Sequence, residues 1–243
     1  NWDVSKIFRV ATLTQNYPPE SGQFLSNPSL WTIPLEVEFY LLYPIAFLFF
    51  ASNRNSLLWI ISLGMSALSI LLSYQGYQWL SFTALFLWPS WLLGAWIAKL
   101  YRDQKLNRIK LGYLLTFTGL SLGVALMSRY QSWETWTQYF AWTAVYSLFF
   151  VFCLSHAGLL NRMIGTRLTK AISWIGKISF SLYLIHFPLF KLFGYLHREI
   201  FGEKPANFLI SLFYLLPVIF LAWLFFKWVE DPIHQWSKKK RKP

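Results

Sequence analysis

Two carboxylates two residues apart, Glu36 and Glu38, stand at the start of an apolar stretch that runs to Phe50. A charge placed in hydrocarbon costs at least ~2.5 kcal/mol on insertion scales, so acids in such a segment mark either chemistry or a specific partner. On a helix, residues two apart point to roughly opposite sides. Glu36 shares its face with Tyr40 at i+4 and Tyr43 at i+7, which makes a carboxylate backed by two phenols. That grouping suits a general acid or base, or a group orienting a substrate hydroxyl, in a cavity between helices. It suits equally a carboxylate in a first helical turn, favoured by the macrodipole and hydrated by headgroups. Glu38 fits this second role.

A second constellation lies in the run I-S-F-S-L-Y-L-I-H-F-P-L-F, where Ser179, Tyr183 and His186 are spaced i, i+4, i+7 on one face of an otherwise apolar helix. A histidine inside a span is a functional candidate by default, and its alternative is a packed imidazole bonded to a neighbouring helix. Pro188 removes the N–H that would pair with the Leu184 carbonyl and predicts a kink beyond His186. A third group, Trp228-Val229-Glu230-Asp231-Pro232, closes the last apolar run. Acids there oppose the macrodipole, so Glu230 is expected to have a basic partner or to end the helix.

The elements that position these residues follow from composition. Of the 243 residues, 56% are hydrophobic, 21% aromatic and only 13% charged. Long apolar runs separated by short basic loops indicate an all-α, polytopic transmembrane helical bundle and exclude a soluble helical core, which needs polar helix faces. About seven spans are predicted: Thr32 to Phe50, Leu57 to Ser73, Leu80 to Ala98, Leu111 to Met127, Tyr139 to Ser155, Ile175 to Leu196 and Phe208 to Trp228. Residues 1–31 form an extracytoplasmic arm, 32–228 the membrane domain and 229–243 a basic cytoplasmic tail, with 161–173 a basic, amphipathic connector. With the tail in the cytoplasm, the other side holds six of the 22 Lys and Arg residues: Lys6, Arg9, Arg129, Lys191, Arg198 and Lys204. Every loop then obeys the positive-inside rule, so the net charge of +12 is a topology signal and not a nucleic-acid signal. The cluster Arg102, Asp103, Gln104, Lys105 and Arg108 could hold a phosphorylated cofactor, but loop topology already accounts for it. Trp88, Trp91 and Trp96 fit an aromatic belt or lipid contact. The single cysteine, Cys153, allows no intramolecular disulfide, and no metal site is implied. A transporter with Glu36 and His186 on its pathway is the competing class; no pair of broken helices with matching halves supports it.

Four motifs, in order, resemble the acyltransferase-3 family of integral-membrane acyltransferases. S-L-W-T-I-P-L-E-V-E-F-Y-L-L-Y-P is similar to that family's W-S-L-x-V-E-x-Q-F-Y-L-L-x-P, with Glu36 at its glutamate. Pro89 to Ala98 is similar to F-L-L-G-x-x-x-A, Ile178 to Leu189 to I-S-Y-S-L-Y-L-x-H-x-P, and Val229 to Trp236 to the terminal E-x-P-x-R-x. The resemblance implies a ten-helix bundle in the bacterial inner membrane that moves an acyl group, usually acetyl, from acyl-CoA to a hydroxyl of an envelope carbohydrate or similar acceptor. The acyl-CoA is a donor substrate, and no bound cofactor is implied. Glu36, Tyr40 and His186 are the catalytic candidates, and Trp31, Ser179 and Tyr183 the substrate-binding candidates. The family's first-helix histidine, eleven residues after a basic residue, and its Arg-x-x-Arg motif have no counterpart here. Seven spans starting outside leave an odd number upstream, and three would make ten. The expectation is therefore a C-terminal seven-helix portion that alone lacks groups the reaction needs, or a non-catalytic remnant.

Overall fold

With no water to pair backbone N–H and C=O groups in a bilayer, apolar runs of about 20 residues must satisfy themselves as helices. The computed structural model, which describes residues 4–18, 27–106, 109–205 and 207–240, is helical, and no strand occurs among the described residues. Its helices are α1 (Val4–Ala11), α2 (Thr32–Ala51), α3 (Asn55–Tyr74), α4 (Ala84–Arg102), α5 (Leu111–Tyr130), α6 (Thr135–Ser155), α7 (Ala157–Ile164), α8 (Thr166–Lys177), α9 (Ser179–Phe201), α10 (Phe208–Phe213), α11 (Leu215–Phe225) and α12 (Asp231–Lys240). Six stretches are long and apolar enough to cross a membrane, and a seventh follows if α8 and α9 count as one broken span. These match the predicted spans, most of them extended by a few residues; the sixth begins at Thr166 and the last runs on to Lys239. Large apolar side chains such as Leu41, Leu48, Ile60, Phe117 and Phe220 remain exposed, as lipid-facing residues must.

The chain forms two compact units, one holding, of the described residues, 8–18 and 32–166, the other 4–7, 27–31 and the chain from Arg167 onward. In the first unit, α3 packs on α4 and α5 on α6. The buried face of α3 carries Ser62, Ser66 and Ser69, small residues that let membrane helices approach closely. Ser66 donates to the Phe86 carbonyl at 2.7 Å, and Ser90 and Thr143 share a 3.1 Å hydroxyl pair between α4 and α6. Ile97, Leu106, Leu114 and Val151 close one end of this bundle as an apolar cluster. Trp88, expected at the lipid surface, is buried instead at 4% exposure, because the face of α4 that carries it also carries Ala84 and Leu92 into the bundle.

In the second unit, α9 packs against α11 and against the 3₁₀ turn Pro28–Trp31. The predicted sixth span is not straight: α8 and α9 meet at 72°. That bend is at Ile178, and α9 is continuous as a helix through Pro188. Ile178 is buried, and Ser179 Oγ donates to the Gly176 carbonyl at 2.9 Å across the break. The Leu184 carbonyl freed by Pro188 is not left bare, since Asn27 Nδ2 donates to it at 2.9 Å. A buried carbonyl stripped of its donor costs about 1–3 kcal/mol. Asn27→Ala should therefore lower the thermal unfolding temperature in detergent. In a Pro188→Ala background α9 supplies its own N–H, and the same substitution should cost a fraction of that. Equal losses in both backgrounds would mean that the bond carries no stability.

Candidate active site

In the first unit, the two glutamates of α2 take different surroundings. Glu38 is half-buried and fully engaged: the Tyr17 hydroxyl donates to its Oε1 at 2.8 Å and the Ala84 backbone N–H to its Oε2 at 2.6 Å. Ala84 is the first residue of α4, whose N-cap Thr83 makes no side-chain capping bond and whose first turn holds no acid. The Thr83 hydroxyl is turned back to the Leu80 carbonyl at 2.8 Å. The orphan N–H at the start of α4 is thus capped by a carboxylate from another helix, where the macrodipole also favours it. Burial first, then the hydrogen bond to Glu38 and the charge of that carboxylate, push the Tyr17 phenol up to about 12.

Glu36 is the opposite case. It is exposed and makes no hydrogen bond or ion pair with any described residue. Tyr40, one turn on, is 71% exposed, and Tyr43 packs its ring edge-on against Trp91, with centroids 6.2 Å apart. The i, i+4 face read from the sequence therefore exists, and it points out of the α2–α4 packing. Trp91 itself stacks on Phe39, on the inner side of α2, at 5.5 Å.

In the second unit, α9 brings together Tyr183, His186 and the stretch 27–31. The Tyr183 hydroxyl donates to the Ser29 carbonyl at 2.7 Å, fixing the turn that leads through Trp31 toward α2. His186 Nδ1 lies 2.8 Å from the Tyr183 carbonyl and 3.1 Å from that of Leu182. Carbonyls only accept, so Nδ1 carries a proton and donates. No described residue bonds Nε2. Ser179, with its hydroxyl turned to Gly176, serves the helix start and does not join Tyr183 and His186.

Two groups escaped the sequence reading. Asn27 is one; the signal was Pro188, which announces a carbonyl in need of a donor. The other is built on Glu230. The chain does not end its helix there but passes through a π turn, Phe226–Glu230, into α12. This turn sets Glu230 Oε2 2.5 Å from the Ser181 hydroxyl, which donates to it, and Oε1 3.5 Å from His234 Nε2. Ser181 is wholly buried. The expected basic partner of Glu230 is thus His234, one turn on, with a buried serine added.

A family model described as an acyltransferase domain matches residues 3–227. The chain belongs to the acyltransferase 3 family. No curated protein and no solved structure matches it. This membrane acyltransferase carries both α2, with Glu36 and Tyr40, and α9, with Tyr183 and His186, inside the matched region. Glu230 lies beyond that region, so the fourth sequence motif stands apart from the match. Among the described residues no cluster of three metal-ligating side chains converges.

Proposed function

We propose that this acyltransferase moves an acyl group, acetyl in the simplest case, from acyl-CoA to a hydroxyl of an envelope carbohydrate or similar acceptor. The observation that carries this reading is an unengaged carboxylate, Glu36, on a spanning helix of an acyltransferase 3 member. In the reaction the acceptor oxygen attacks the thioester carbonyl, its proton passes to a base, and the coenzyme A thiolate leaves and is protonated. Glu36 is the base or the group that orients the attacking hydroxyl, with Tyr40 one turn on along the same exposed face. His186 is a positioning group whose imidazole is held by its own helix. The protein sits in the bacterial inner membrane with its C-terminus in the cytoplasm, which puts Glu36 at the extracytoplasmic end of its span, on the acceptor's side, and the thioester must reach it from the cytoplasmic side.

The test uses membranes containing the full-length protein, acyl-labelled acetyl-CoA and a crude envelope carbohydrate acceptor. Label should appear in product as an alkali-labile ester. Label in an alkali-stable amide, or no transfer above membranes lacking the protein, would overturn the reading. Within the same assay, His186→Gln should lower kcat by no more than about tenfold, the size of one lost neutral hydrogen bond. A larger loss with unchanged KM would move His186 into the chemistry.

A further inference from the structure

A groove between α2 and α4 is not used by the chemistry above. It encloses about 380 Å³, with Ala46, Ala95 and Ala98 among its lining, Tyr43 and Trp91 toward one end, and Lys99 and Arg102 at the other. The small side chains leave a slot where neighbouring positions on both helices carry large aromatic groups. From Trp91 to Arg102 the slot follows α4 for eleven residues, or ~16 Å at 1.5 Å per residue. That is about half of a ~30 Å hydrocarbon core, hence the depth of one leaflet.

Charge marks the headgroup end. Lys99 Nζ lies over the rings of Phe50 and Trp96, 5.5 Å and 5.4 Å from their centroids, so two aromatic faces hold the ammonium at the mouth. Arg102, one turn on, is mostly exposed and makes one loose ion pair, Nε to Asp103 Oδ1 at 3.6 Å. A surface ion pair of this length contributes little and yields readily to a better anion. We propose that the groove is a binding site for one anionic phospholipid, with an acyl chain lying along Ala46, Ala95 and Ala98 and its phosphate held by Lys99 and Arg102. The apolar length, the leaflet-sized depth and two cations at the headgroup level are complementary to that molecule and to no neutral lipid in the same degree.

The experiment reconstitutes the full-length protein in phosphatidylcholine nanodiscs containing a minority of phosphatidylglycerol, and counts retained lipids by native mass spectrometry. Wild type should retain phosphatidylglycerol selectively. Removing the charges should lower its retention by roughly fivefold for Lys99→Gln or Arg102→Gln and roughly 30-fold for the pair. Ala95→Leu, which fills the slot and leaves the charges in place, should also abolish retention. Equal retention of both lipids, or retention unaffected by these four variants, overturns the proposal. So does displacement of the lipid by palmitoyl-CoA with the same dependence on Lys99 and Arg102, which would make the groove a donor site. A photoreactive residue placed at Ala98 should crosslink to lipid; crosslinking to a protein segment would show that a helix fills the groove.

Discussion

Glu36→Gln in the full-length enzyme lowers kcat for acyl transfer by about 10²–10⁴-fold while leaving the protein folded. The range is that of a lost general base, and the amide keeps the shape and the hydrogen-bonding capacity of the side chain while removing its basicity. Folding is spared because Glu36 contributes nothing to packing: it is exposed and bonded to no described residue. An isolated carboxylate on a spanning helix costs free energy, and stability alone would replace it with an apolar residue. The substitution should therefore be neutral or stabilising in thermal unfolding while activity collapses. Measuring kcat and the unfolding temperature on the same preparation checks both. Full activity in Glu36→Gln would remove this residue from the chemistry, and a large loss of stability would make it a structural acid like Glu38.

The sequence carried the helices and their spans because hydrophobic runs of membrane length have few other solutions. It carried the division between Glu36 and Glu38 because a two-residue offset on a helix turns side chains apart, whatever surrounds them. Their partners were beyond its reach. Glu38 meets Ala84 and Tyr17 across 46 and 21 residues of chain, and no periodicity encodes such a meeting. The Ser181–Glu230 bond depends on a π turn, whose extra residue per turn re-aims Glu230, and no composition rule announces that turn. The pairing of the carbonyl that Pro188 frees has a similar origin. Asn27, 157 residues away, meets that carbonyl, and α9 continues as a helix through the proline. The proline was legible and its rescue by a distant asparagine was not. For Trp88, residue type suggested the interface, yet helix packing buried it.

Glu38→Ala is expected to cost about 2–4 kcal/mol, a large fraction of the stability of a typical domain. Two charge-assisted hydrogen bonds vanish, each worth about 1.5–3 kcal/mol, and the first N–H of α4 and the Tyr17 hydroxyl lose their acceptor together; water reaching these part-buried groups recovers part of that sum. The loss should exceed that of Tyr17→Phe, which leaves the carboxylate capping Ala84 at 2.6 Å. Glu38→Gln should fall between the two, since its single carbonyl oxygen can serve only one face of the bridge well. The pH dependence separates the two bonds. In the folded chain the Tyr17 phenol keeps its proton up to about 12, above its ordinary value of 10.0. The unfolded chain thus loses this proton first as the pH rises. The contribution of Tyr17 is whole below the ordinary phenol range and is lost as the pH climbs through the raised value. Between these limits wild type should lose stability relative to Tyr17→Phe, whereas the cap on α4, which needs only an ionised Glu38, should persist in both. A wild type that stayed parallel to Tyr17→Phe across that interval would mean that the phenol does not hold its proton against Glu38, and the bridge would then rest on the Ala84 bond alone.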